Sequence, residues 1–182
     1  MNNRKNKNTE CNIEVIDNYL SVELHDKIKS TLMGLDFSWY LQKYKVGEGL
    51  IEKIPLKDPR IDFQFTHIFY RNFSPQSSYF DLILPILYKL KPNALLRIKA
   101  NLTTYTNTIM PFHYHVDNPD NVKCKTAIYY VNTTNGPTIF ETGEKIECVE
   151  NRIVIFDSTL KHTGTTHTDE KVRCVLNFNY YD

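Results

Sequence analysis

Between Pro111 and Asp117 the chain reads PFHYHVD, which sets His113, His115 and Asp117 at alternating positions. Alternating side chains of an extended segment share one face, so this stretch can offer an imidazole and a carboxylate to a single ion. A further candidate ligand, His162, lies in FDSTLKHTG, just beyond the apolar run Arg152 to Phe156, where a turn can bring it back to the same ion. Two neutral imidazoles and one carboxylate gathered on one side of an octahedral ion leave coordination positions open, and open positions allow chemistry. A closed structural zinc would need a fourth protein ligand, commonly sulfur. Only Cys124 and Cys174 lie near these histidines in the sequence.

An H-x-D triplet is common and says little alone. Arg173 adds to it, standing eleven positions beyond His162 at the head of RCVLNFNY. A strand running beside the metal would direct that guanidinium inward, where a buried cation must find an anion. The planar fork suits the far carboxyl group of a dicarboxylate. The competing arrangement is a surface ion pair with Asp169 or Glu170. Together the donor set and the open face match the arrangement associated with non-haem Fe(II) oxygenases.

These residues need a β framework to hold them. Short β-like runs are expected at Leu95 to Tyr105, Thr126 to Val131, Thr138 to Phe140, Lys145 to Cys148, Arg152 to Phe156 and Val172 to Tyr180. Such spacing predicts an antiparallel sandwich or barrel. The dipeptides Asn135-Gly136 and Thr142-Gly143 are candidate turns between strands. Ahead of this region, Ser21 is a candidate N-cap for a helix whose apolar stripe is Leu24, Ile28 and Leu32, and Gly34 is placed to end it. Residues 43 to 60 read as a long surface loop. A strand is expected within Ile61 to Phe73, and a second helix from about Ser77 to Leu90, kinked at Pro85.

With 182 residues and a net charge of +1, the chain fits one globular domain. Residues 1–10 are expected to be a disordered tail. Residues 11–182 should form a single unit, with helical and strand support over 11–94 and a metal-binding β-barrel core over 95–182. Twelve Tyr and ten Phe favour half-buried pleated surfaces. No basic stretch follows Arg4 to Lys7, which argues against a protein that grips nucleic-acid backbones. The four cysteines, Cys11, Cys124, Cys148 and Cys174, are scattered and read as reduced thiols. With neither an apolar leader nor an apolar run of about eighteen residues, the expectation is a soluble cytoplasmic protein without membrane contact.

Tyr105, His115-Val116-Asp117, FDSTLKHTG with His162, and RCVLNF with Arg173 together resemble the 2-oxoglutarate- and Fe(II)-dependent oxygenases, more narrowly their prolyl-4-hydroxylase-like branch. The resemblance covers roughly residues 95 to 181. It includes KTAIYYVNTTNGPTIFETGEKIECVENRIVIF, which is similar to the branch's middle strands. It implies a mainly β fold with supporting α-helices, a double-stranded β-helix of the jelly-roll or cupin-like kind. It also implies that His115, Asp117 and His162 bind Fe(II) and that Arg173 holds the distal carboxylate of 2-oxoglutarate. Tyr105, ten residues before His115, matches a family tyrosine that assists there, and Asn101 and Asn177 are further candidates for contact with the cosubstrate. His113 and His167 are rival ligands: His113 has no acidic residue two positions on, and His167 stands only six residues before Arg173. The branch often carries Gly in the loop before H-x-D, where this chain has TNTIMPF, so substrate identity does not carry over.

The activity so implied is hydroxylation of an unactivated C–H bond, with 2-oxoglutarate and O2 converted to succinate and CO2 and ascorbate a candidate reductant. A prolyl residue of a peptide or protein is the first substrate to consider, followed by a free amino acid or small metabolite. The alternative from another class is a non-catalytic cupin-like protein that binds a metal or ligand.

Overall fold

The computed structural model describes residues 12–44, 59–117 and 124–182. The expected tail and most of the expected loop over 43–60 lie outside the described residues. Two helices and eleven strands are described: β1 (Glu14–Ile16), α1 (Val22–Leu32), β2 (Tyr40–Gln42), β3 (Gln64–Arg71), β4 (Ser74–Pro75), α2 (Leu84–Leu90), β5 (Ala94–Thr104), β6 (Lys125–Tyr130), β7 (Thr134–Phe140), β8 (Lys145–Cys148), β9 (Ile153–Asp157), β10 (His162–Gly164) and β11 (Val172–Tyr181).

Helix α1 begins where its cap predicts, with Ser21 Oγ accepting from the Leu24 amide at 3.4 Å. Its buried residues are His25, Ile28 and Leu32. Leu24, expected on that stripe, is partly exposed instead, one position out of phase with the core. Gly34 follows the helix end because a Cβ there would stand 2.7 Å from the Ser30 carbonyl oxygen. The second expected helix is shorter than its apolar pattern suggests. A 3-10 turn at Phe80–Ile83 leads into α2, and Pro85 sits in the helix's first turn, where its missing N–H costs no hydrogen bond. The proline therefore starts the helix and does not kink it.

The strands form two antiparallel sheets. The larger runs β1-β9-β6-β11-β5-β3-β2 with β4 paired to β3, and the smaller runs β10-β7-β8. Alternation along β11 gives each face of the large sheet its own core. Cys174, Leu176, Phe178 and Tyr180 pack with Ile98, Ala100 and Tyr129 beneath Ile28, Leu32 and Ile86 of the helices. On the opposite face Val175 joins Ile128, Tyr130, Val154 and Phe156, which meet Phe140 and Cys148 of the small sheet. The remaining inward positions of β5 and β11 are polar, and the gap between the sheets there becomes the functional cavity.

Asn135-Gly136 is not a turn: both residues lie within β7. Gly136 is required by close packing, since a Cβ would fall 2.6 Å from the Thr166 carbonyl oxygen. Thr142-Gly143 does turn, with Gly143 at φ 106°. Cys124, Cys148 and Cys174 are buried and belong to no disulfide. No helix among the described residues is long and apolar enough to cross a membrane.

Candidate metal centre and cosubstrate pocket

His115 and His162 meet outside the regular ladders as an isolated antiparallel bridge. Each amide donates to the other residue's carbonyl oxygen at 3.0 Å, which holds the two imidazoles side by side. The same device serves both rings. His115 Nδ1 bonds the His113 carbonyl at 3.2 Å, and His162 Nδ1 bonds the Leu160 carbonyl at 3.0 Å. A carbonyl only accepts, so each Nδ1 carries a proton, and in the neutral imidazole this leaves the Nε2 lone pair for a metal. Those Nε2 atoms lie 3.9 Å and 3.8 Å from the two oxygens of Asp117. One ligand atom from each of His115, Asp117 and His162 falls within 4.8 Å of the others, a spacing that can hold one metal ion.

Asp117 is fixed by a ring of hydrogen bonds that follows from strand register. Asn179 of β11 faces Arg97 of β5 on one side and Thr126 of β6 on the other. Arg97 Nε donates to Asn179 Oδ1 at 3.1 Å, Asn179 Nδ2 donates to Thr126 Oγ1 at 3.0 Å, and Thr126 Oγ1 donates to Asp117 Oδ2 at 2.9 Å. Arg97 closes the ring on Asp117 Oδ1 at 3.4 Å, and Asn177 Nδ2 adds a contact of 3.3 Å to Oδ2. Burial alone would raise the Asp117 carboxyl, but His162, His115 and Arg97 outweigh it and hold the group at about 2. Burial, reinforced by the charge of His162, lowers His115 and favours the neutral imidazole that a metal needs.

Arg173 stands at the deep end, buried, with no surface pair to Asp169 or Glu170. Its Nε donates to the Gly136 carbonyl at 3.0 Å and its Nη2 to Thr138 Oγ1 at 3.3 Å. The guanidinium carbon lies 5.7 Å from the centre of the Tyr130 ring. Tyr130 donates to Thr138 Oγ1 at 2.8 Å, and burial pushes its phenol up to about 12. Thr138 thus accepts twice and keeps its own proton for an acceptor in the cavity.

The cavity between the metal ligands and Arg173 has a volume of about 100 Å³ and is bordered by Asn101, Thr103, Asn177 and Lys99. Asn101 Oδ1, Thr103 Oγ1 and Asn177 Oδ1 are buried and have no hydrogen-bond partner among the described residues. Unsatisfied buried polar atoms are costly, so this row fits a polar guest spanning the cavity. The donor set suits Fe(II), and the guanidinium at the far end suits a dicarboxylate reaching the ion.

Six of the seven expected site residues, His115, Asp117, His162, Arg173, Asn101 and Asn177, are thus brought together. Tyr105 is not brought in. Strand β5 ends at Thr104, the Tyr105 amide bonds the Lys171 carbonyl, and the half-exposed ring lines a neighbouring cleft with Phe63, Phe112 and Thr166. Tyr130, fully buried and bonded to Thr138, is the tyrosine that stands beside Arg173. Its signal was present in KTAIYYVN as the inward position of β6, but the alternation could not be assigned a face without the β11 register. His113 borders the cavity and supplies its carbonyl to His115, while His167 is buried outside the cavity wall.

No family model and no curated protein matches the chain. Solved structures do. A prolyl hydroxylase from Trichoplax adhaerens, in complex with a peptide fragment of the hypoxia inducible factor oxygen degradation domain, has a TM-score of 0.65 at 14% identity, over 93% of this chain and 83% of that one. A prolyl-4-hydroxylase from Pseudomonas putida has a TM-score of 0.59 at 14% identity, over 95% and 94%. The viral collagen prolyl hydroxylase of Paramecium Bursaria Chlorella virus-1, solved as a 2-oxoglutarate complex, has a TM-score of 0.56 at 16% identity, over 93% and 96%. The fold is the double-stranded β-helix of the 2-oxoglutarate- and Fe(II)-dependent oxygenases. Its likeness to these prolyl hydroxylases is a likeness of fold.

Proposed function

We propose that this chain is a 2-oxoglutarate- and Fe(II)-dependent hydroxylase, with a prolyl residue of a peptide or protein as its first candidate substrate. The observation that carries the reading is one continuous cavity joining the triad of His115, Asp117 and His162 to the buried Arg173, with polar atoms between that have no partner among the described residues. Bound iron and its cosubstrate would supply the oxidising power, converting 2-oxoglutarate and O2 to succinate and CO2 as an unactivated C–H bond is hydroxylated.

The protein's own work is positional. His115 and His162 would present their Nε2 atoms to the metal, and the ring around Asp117 keeps its carboxylate charged and aimed. Arg173, with Thr138 and Tyr130 beside it, receives the far carboxylate of the cosubstrate. Asn101, Thr103 and Asn177 give its polar atoms partners in place of water. Phe112 and Val175 border the cavity with apolar surface and limit solvent. No side chain has to act as a strong acid or base.

The peptide bound to the Trichoplax enzyme supports a prolyl substrate, with a free amino acid or small metabolite the alternative. A buried guanidinium facing the metal ligands has no evident use in a non-catalytic cupin-like protein, which favours catalysis. Buried cysteines that belong to no disulfide suit a reducing cytoplasm, where ascorbate or a similar reductant would keep the iron ferrous. The test is formation of succinate from 2-oxoglutarate against prolyl peptides, free amino acids and small metabolites. Stimulation by one class, abolished by Asp117→Ala, is expected. No turnover with iron-loaded protein and any class contradicts the proposal.

A further inference from the structure

Three cations, Arg97, Lys99 and Arg173, border the cavity, against a single carboxylate, Asp117, among the described residues. On the reading above, Asp117 belongs to the metal and Arg173 to the distal carboxylate of the cosubstrate. A divalent ion and a dicarboxylate cancel each other's formal charge, so the three cations still exceed Asp117 by two after both are bound. Arg97 is partly engaged by Asn179 and Asp117. Lys99 has no ion-pair partner within 4 Å among the described residues.

The placement of Lys99 is costly. It occupies an inward position of β5 two residues from Arg97, on the same face, opposite Asn177 of β11 and Ile68 of β3. Its side chain is mostly buried, and burial and the neighbouring guanidinium both disfavour its charge. A structural lysine would run its stem out to water, but this one lines the cavity in front of the metal ligands. A buried cation next to a like charge is stabilised by an anion that enters with a ligand.

We infer that Lys99, flanked by Arg97, forms a subsite for a carboxylate carried by the molecule that is oxidised, making the substrate an anion that binds with its carboxylate inside the cavity. The inference rests on the oxygenase reading and narrows its substrate class. A carboxylate can reach the subsite from an acidic residue beside a target proline or from a free acid, and the ammonium recognises both alike.

The test uses full-length protein loaded anaerobically with Fe(II) and 2-oxoglutarate, with calorimetric binding of matched probes. One arm compares the blocked dipeptides Asp-Pro and Asn-Pro, and the other compares L-proline with L-prolinamide. In at least one arm the acid should bind about tenfold or more tighter than its amide, the scale of a charge-assisted hydrogen bond. That ratio should fall to near one in Lys99→Met and return in Lys99→Arg, while 2-oxoglutarate affinity changes little in either variant. Equal binding or no binding in both arms, a ratio that survives Lys99→Met, or a loss confined to 2-oxoglutarate affinity would overturn the inference. Failure of the unsubstituted protein to take up iron and 2-oxoglutarate would show separately, before any probe is added, and would bring down the oxygenase reading with it.

Discussion

The backbones of His115 and His162 are hydrogen-bonded to each other in both directions, at 3.0 Å each way, although the residues lie far apart in the chain. The metal ligands are therefore coupled through main chain as well as through an ion. A substitution that shifts β10 moves His162 relative to His115 and Asp117 together.

The bond from Thr126 to Asp117 gives the first expectation. Thr126→Val keeps the shape of the side chain and removes the donor to Asp117 Oδ2 and the acceptor for Asn179. Partners of this kind commonly contribute about 10–100-fold to metal affinity. Fe(II) or Mn(II) titration should show weakening by about tenfold or more with the fold intact. Unchanged affinity would mean that the ring does not orient the ligand.

At the far end, Arg173→Met should raise the 2-oxoglutarate requirement by well over tenfold, since a buried carboxylate would lose a charged partner. Tyr130→Phe removes one donor to Thr138 and should produce a smaller rise in the same parameter. Steady-state kinetics with varied 2-oxoglutarate would read both. A larger effect from Tyr105→Phe than from Tyr130→Phe would contradict the geometry.

Gly136→Ala would place a Cβ 2.6 Å from the Thr166 carbonyl oxygen. The chain must shift there, and overpacking of this kind costs about 1–3 kcal/mol. Gly136 also supplies the carbonyl that Arg173 Nε binds, so lower stability in denaturant titration and weaker 2-oxoglutarate binding should appear together. Loss of stability alone would separate the packing role from the site.

The pH dependence of the metal-free protein follows from His25 and His115, whose charged forms are disfavoured by desolvation. Burial lowers His25, with Glu150 opposing and Lys29 assisting. Its Nδ1 bonds the Tyr129 hydroxyl at 2.7 Å, and that hydroxyl donates to Asn151 at 3.0 Å. His115 is lowered too. Above a pH of about 6.5, the ordinary histidine value, both residues are neutral folded and unfolded, and stability is greatest. Below it the unfolded chain takes up protons first, so the denaturation midpoint should fall as pH drops from about 7.5 to 5.5. Asp117, held at about 2, contributes stability above the ordinary carboxylate range that is lost as pH falls through about 2. His25→Gln should flatten the upper part of this slope, and a midpoint rising on acidification would contradict the assignment.

How much the sequence revealed depended on how local each signal was. H-x-D is a two-residue alternation, so His115 and Asp117 could be placed on one face without knowing any partner strand. Arg173 was found from its spacing, eleven positions beyond His162 at the head of a β-like run, while its inward face follows only from the pairing of β11 with β5. Tyr105 has the same parity as Asn101 and Thr103 but lies one residue beyond the end of β5, and parity has no meaning past a strand end. Thr126, Asn179 and Arg97 were not found because their ring exists only through the pairing of three strands distant in the chain. Strands β1, β2 and β10 are three residues each, too short for alternation to register. Asn135-Gly136 misled because Gly136 serves close packing inside a strand, and composition cannot distinguish that need from a turn.

The account rests on one ion and one cosubstrate meeting in the cavity between His115, Asp117, His162 and Arg173. The most direct measurement is anaerobic titration of Fe(II)-loaded protein with 2-oxoglutarate, followed by visible absorption. Chelation of ferrous iron by the keto acid should give a weak charge-transfer band that saturates with 2-oxoglutarate, disappears in Asp117→Ala and needs much more 2-oxoglutarate in Arg173→Met. Iron that binds with no new band at saturating 2-oxoglutarate would contradict the central claim.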